Sequence, residues 1–153
     1  MTAAKSTDKA TNAAADAMVE LISQSFRLNS RLLLTADRMA RDVGLSAARW
    51  QVLSAIAQAT EPPTISAIAR LMGLTRQSVQ QVADALAKDN LINFEPNPKH
   101  RRASLVVVTL KAMKLLKQLD EQRYAWAREV ATTLPVTNIK VANKVLGKVR
   151  EKL

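Results

Sequence analysis

Mostly apolar residues recur at steps of three and four from Met18 to Val43, through Leu21, Ser25, Leu28, Leu32, Ala36 and Met39. At about 100° per residue these positions fall on one stripe, which predicts an amphipathic helix. Arg27, Arg31 and Arg38 lie on the opposite side, where a solvated or ion-paired face belongs. Gly44 is placed to end that helix and Ser46 to cap the next. The second helix is expected from Ala47 to Ala59, burying Trp50, Leu53 and either Ile56 or Ala57. Glu61-Pro62-Pro63 breaks it, because proline cannot continue a helix interior.

A different pattern follows. From Ile65 to Val82 the spacing reads as two helices joined by a tight turn, opened by Thr64 or Ile65. Counting Ile65 as first, small Ala69 falls fifth, where the two helices approach most closely. Gly73 falls ninth, in the turn, where a positive φ is needed and glycine has no steric cost. Ile68, Met72, Leu74, Val79 and Val82 occupy core-facing places, and Thr75 is placed to cap the second helix. These constraints together describe a helix-turn-helix. Arg76, Gln77, Ser78, Gln80, Gln81 and Asp84 then face outward.

Beyond Lys88-Asp89-Asn90, the alternating run Leu91 to Glu95 predicts a strand, and the largely β-branched Leu105-Val106-Val107-Val108 predicts its partner. They flank Pro96 to Ser104, so the hairpin carries a basic tip, Lys99-His100-Arg101-Arg102. Thr109 can cap a long helix whose shared face holds Leu115, Leu119, Trp126 and Val130, and Pro135 ends it. A last helix from about Thr137 to Leu153 places Ile139, Ala142, Val145, Val149 and Leu153 on its apolar side. The fold expected is mainly α with a small β-hairpin wing. A winged helix-turn-helix lobe spans about 46–110, and N- and C-terminal helices at about 16–44 and 110–153 remain for pairing. Residues 1–15, rich in Ala, Thr and Lys, are expected to form a flexible arm before a single domain at 16–153.

Composition narrows the function. With 153 residues, 48% apolar and 24% charged, the chain has the makeup of a soluble globular domain with a sizeable core. No apolar run approaches the eighteen or so residues of a membrane span, so no membrane partner and a cytoplasmic location are expected. Cysteine is absent and His100 is the single histidine, which leaves no thiolate chemistry and no His/Cys zinc site. No glycine-rich phosphate loop, no histidine beside a nucleophile and no acid pair suggest catalysis, so neither enzyme activity nor a cofactor is expected.

The formal net charge of +10 is unevenly spread. Residues 1–45 carry six basic and five acidic groups, whereas 111–153 carry ten and four. Such a field attracts polyanions, nucleic acid or an anionic membrane alike. The outward face of the second motif helix favours nucleic acid: Arg pairs with guanine and Gln with adenine in the major groove, while Ser and Thr suit phosphate or base edges. The candidate contacts are Thr75, Arg76, Gln77, Ser78, Gln80 and Gln81, with Lys99, Arg101 and Arg102 from the wing. Wing arginines can reach phosphate or the minor groove.

The arrangement resembles the MarR family of bacterial transcriptional regulators over roughly residues 18–150. Leu45-Ser46-Ala47-Ala48-Arg49-Trp50-Gln51-Val52-Leu53 is similar to the family's second-helix signature, and Leu74-Thr75-Arg76-Gln77-Ser78-Val79 to the start of its recognition helix. Arg101 to Leu110 is similar to its wing and following strand. The resemblance implies a homodimer on a palindromic double-stranded operator, usually a repressor released by an aromatic or anionic small molecule. It also implies a ligand cleft, for which Phe26, Trp50 and Leu53 are candidates. At the wing the chain departs from the pattern. Asn97 and His100 stand where the family tends to place Asp, and Lys99 where it tends to place Arg, so acids that would brace the tip are missing.

Two other functions fit a basic winged helix. An architectural binder would take DNA by charge, with little sequence preference and no ligand. A protein-interaction module would use the same fold without DNA, although the Gln-Arg-Ser face argues against it. Lys140, Lys144, Lys148 and Lys152 form an i, i+4 stripe on the last helix that reads as a solubilising face.

Overall fold

Local chemistry at the ends of helices sets out much of this chain, whose structure, a computed structural model, describes residues 2–100 and 102–152. Eight elements follow in order: α1 (Thr2–Arg41), α2 (Ala47–Ala57), α3 (Ile65–Met72), α4 (Arg76–Lys88), β1 (Ile92–Glu95), β2 (Leu105–Val108), α5 (Leu110–Ala131) and α6 (Val136–Arg150). They form two compact units, Met1–Trp50 and Gln51–Leu153.

In the first unit, α1 begins at Thr2 and so occupies the stretch expected to be an arm. Alanine has the highest helix propensity, and the segment Ala13-Ala14-Ala15 extends a helix without needing an apolar stripe. The helix ends at Arg41, two residues before the expected Val43. Gly44 adopts φ +74°, and the N–H of Leu45 donates to the Ala40 carbonyl at 2.8 Å. This left-handed finish satisfies carbonyls that the helix would otherwise leave open, and both Ala40 and Leu45 are buried. Asp37 Oδ1 accepts the Ala47 N–H at 2.6 Å, and Ser46 Oγ accepts that of Arg49, so the start of α2 is capped twice. Of the predicted α1 stripe, Leu21, Ser25, Ala36, Met39 and Val43 are half-buried, while Met18, Leu28 and Leu32 are exposed.

In the second unit the core is dense. Val52, Leu53 and Ile56 from α2, Ile65, Ile68 and Ala69 from α3, and Val79, Ala83 and Leu86 from α4 are all buried. So are Leu91, Ile92 and Val106 of the hairpin and Ala112, Leu116 and Leu119 of α5. Of the two alternatives for α2, Ile56 is the buried one and Ala57 is exposed. On α5 the buried face is turned slightly from the expected one: Leu119 is shared and Leu115 and Trp126 are half-buried, but Ala112 and Leu116 are buried and Val130 is exposed. The adjacent leucines Leu115-Leu116 flank the shared face, so periodicity separates them poorly. α6 carries no fully buried residue.

The hairpin is antiparallel, pairing Ile92 with Val108, Asn93 with Val107, Phe94 with Val106 and Glu95 with Leu105. Its other edge is also used. The Val106 N–H donates to the Pro63 carbonyl at 2.8 Å, and Thr64 makes an isolated antiparallel bridge to Leu105, so the segment entering α3 lies beside β2. α4 packs against both α3 and β1.

Candidate nucleic-acid interface

Each end of the helix-turn-helix is built from a side chain or a backbone angle suited to it. Thr64 caps α3, its Oγ1 accepting the Ala67 N–H at 3.3 Å. Gly73 takes φ +65°, and the Leu74 N–H donates back to Ala69 at 2.9 Å, which turns the chain sharply toward α4. Leu74, expected in the core, is 47% exposed. Its backbone serves the turn, and that position carries its side chain outward. Thr75 caps α4 through the Ser78 N–H at 3.1 Å, and the two hydroxyls lie 2.8 Å apart. Asn90 closes α4 with φ +57°, the Leu91 N–H donating to the Leu86 carbonyl at 2.9 Å. Both leucines are buried, which anchors the start of the hairpin directly to the end of α4.

Val79, Ala83 and Leu86 hold the inner face of α4 in the core, and this leaves Arg76, Gln77, Ser78 and Gln81 exposed with Gln80 half-buried. The first N–H groups of a helix have no intrahelical acceptor, so the Arg76 end of α4 offers donors to an anion. Arg76, Gln77, Gln80 and Gln81 line one open hollow. On the wing side a cleft of about 360 Å³ runs between α4 and the hairpin. Arg76, Gln80 and Asp84 form one wall; Phe94, Arg102, Ala103 and Ser104 face them from the wing. The structure thus brings Arg76, Gln80 and Arg102 to one place.

Lys99 is placed elsewhere. It lies 3.7 Å from Glu61, in a second cleft beneath the wing tip that Asn97, His100 and Pro62 also line. Asn97 Oδ1 accepts the Lys99 N–H at 2.9 Å, and the His100 N–H donates to the Asn97 carbonyl at 3.2 Å. The tip is therefore braced without the family's acids, by an Asn-based turn and by an acid borrowed from the α2–α3 loop. Arg101 falls outside the described residues. Phe94, Asp84, Ser104 and Glu61 were not among the sequence candidates. Only Asp84 carried a signal, its outward place on α4.

Of the ligand candidates, Phe26 is exposed on α1, and Trp50 and Leu53 are buried on α2. The Trp50 ring N–H is buried with no hydrogen-bond partner. Among the described residues no group of acids and histidines is arranged to hold a metal ion.

A capped helix presented behind a left-handed glycine turn, followed by a tethered basic hairpin, defines a winged helix-turn-helix protein. Comparison with known proteins carries this further. The MarR family model matches residues 43–103. An uncharacterised protein of Mycobacterium tuberculosis is 33% identical over 107 residues, covering 70% of this chain and 73% of the relative. Among solved structures, the transcriptional regulator BldR from Sulfolobus solfataricus superposes with a TM-score of 0.81 at 18% identity, over 91% of this chain and 98% of that one. A MarR mutant from E. coli complexed with operator DNA gives a TM-score of 0.76 at 18% identity, over 88% and 96%. The chain belongs to the MarR family and is a winged-helix transcription regulator.

Proposed function

We propose that this regulator reads a specific sequence in double-stranded DNA. In this reading it acts as a homodimer on a palindromic operator in the cytoplasm and represses until a small aromatic or anionic effector binds. The observation that carries the reading is the outward row Arg76, Gln77, Gln80 and Gln81 on α4, with Arg102 across the adjoining cleft. Long amide and guanidinium side chains can hydrogen-bond base edges bidentately, which a merely solvated face does not require. Arg102 on the wing suits phosphate or the minor groove. The fold of the operator-bound E. coli mutant supports DNA as the partner.

Exposed apolar side chains on α1 and α6, such as Val19, Phe26, Val141 and Leu146, support pairing with a second copy. The unpartnered Trp50 N–H supports an effector bearing an acceptor. No helix among the described residues is long and apolar enough to cross a membrane.

The test is selection of binding sites from random duplex DNA, followed by salt titration. A two-fold symmetric site is expected, with half-sites about 10 bp apart. At physiological salt it should be preferred over random DNA by about a thousandfold or more. Arg76→Ala should cost about 1–3 kcal/mol and relax one base position, whereas Arg102→Ala should weaken all sequences alike and flatten the salt slope. Tight binding with no selected sequence would replace this reading with an architectural one.

A further inference from the structure

We propose that Asp84 is a positioning residue for sequence reading: it holds the Gln80 amide in one orientation, so that each α4 helix selects adenine at one base of its half-site. The proposal rests on the DNA-reading function above.

Gln80 and Asp84 stand one helical turn apart on α4, and Gln80 Nε2 donates to Asp84 Oδ1 at 2.8 Å. A carboxylate only accepts hydrogen bonds, so the nitrogen end of the amide must face it. That contact decides between two amide orientations that are otherwise nearly equivalent. It also uses one of the two N–H groups. What Gln80 keeps is its carbonyl oxygen and a second N–H, one acceptor beside one donor. In the major groove adenine shows the matching pair, its N6 amine and N7. Guanine shows two acceptors, N7 and O6, and would set O6 against an oxygen that can no longer turn away.

The placement suits this task. Gln80 is half-buried, with little freedom to swing, while Asp84 remains exposed. Both line the cleft between α4 and the wing, beside Arg76 and Arg102. Asp84 is also the single acid in α4. On a surface meant for phosphates an acid repels the ligand, so its presence at the reading face calls for a compensating role. Orienting Gln80 and rejecting acceptor-rich base edges supplies one.

The experiment compares sites selected from random duplex DNA by the full-length wild type, Gln80→Ala, Asp84→Ala and Asp84→Asn. Selected sites are then checked by affinity measurements on operators with adenine or guanine at the position in question. Wild type should favour adenine there by about five- to a hundredfold. Gln80→Ala should lose that preference and no other. Asp84→Ala should let the amide turn, reducing the preference to within about threefold of none, while binding all sequences more tightly through the lost negative charge. Asp84→Asn presents an amide that can donate as well as accept, so it no longer fixes the Gln80 amide; it should lose the adenine preference as Asp84→Ala does and share the general tightening. An unchanged motif in Asp84→Ala would mean the pair only supports the helix, and the proposal would be overturned alone. Adenine persisting in Gln80→Ala would have the same effect. A wild type that selects no sequence would overturn both this proposal and the reading beneath it.

Discussion

Leu86, Leu91 and Ile92 in the winged lobe expose no more than 2% of their surface, whereas Val19, Phe26 and Leu34 on α1 expose 63%, 71% and 55%. The two regions differ in what their apolar stripes meet. In the lobe, α4 packs against α3 and β1, and the leucines at its end are buried. The side chains of α1 and α6 are left largely open within one chain. A region that buries its apolar residues internally can hold its geometry unaided. A region that does not depends on a covering surface, which in the proposed homodimer is the second copy.

Substitutions can break this comparison. The largest effect is expected from Leu86→Ala, which should destabilise the lobe by about 2–5 kcal/mol through lost transfer energy and a residual cavity. Its cost should not depend on protein concentration. Leu146→Ala on α6 should behave in the opposite way: its effect on thermal unfolding should be present at concentrations where dimers form and vanish on dilution to monomers, followed by light scattering. A concentration-independent loss at Leu146 would mean that α6 is covered within the chain.

A smaller effect is expected at the turn. A Cβ at Gly73 would touch nothing within 4 Å, so Gly73→Ala should cost only the strain of its positive φ, about 1–2 kcal/mol in chemical denaturation. The smallest belongs to the wing tip. Lys99 and Glu61 are each about four-fifths exposed, so Lys99→Ala should change stability by less than about 1 kcal/mol. If Lys99 also touches phosphate, its removal should lower the salt slope of DNA binding. If it serves only Glu61, the slope should stay as it is.

Where the chain's chemistry is local, it could be read directly. Thr75 before α4, Gly73 in the turn and Thr109 before α5 all do in the structure what their side chains or backbone freedom suggest. The outer face of α4 was legible for the same reason, since burial of Val79 decides where Arg76 and Gln77 must point. Other features depend on contacts that spacing does not encode. The early start of α1 rests on alanine propensity, to which a search for apolar stripes is blind. The phase of α5 depends on which of two adjacent leucines meets the core. The bracing of Lys99 needs Glu61, which approaches only once the wing folds over the α2–α3 loop. Asp84 was visible on the outer face, yet its bond to Gln80 required the side-chain conformations.

The hydrogen bond from Val106 to Pro63 has a mechanical consequence. It fastens β2, one residue from its tip end, to the residue just before the cap of α3, while Leu91 ties the start of β1 to the end of α4. Both strands of the hairpin are thus tied to the helix-turn-helix, which holds the base of the gap between α4 and the wing. If it reads DNA as proposed, such a lobe is expected to favour duplexes whose grooves already have that spacing, or that deform to it cheaply.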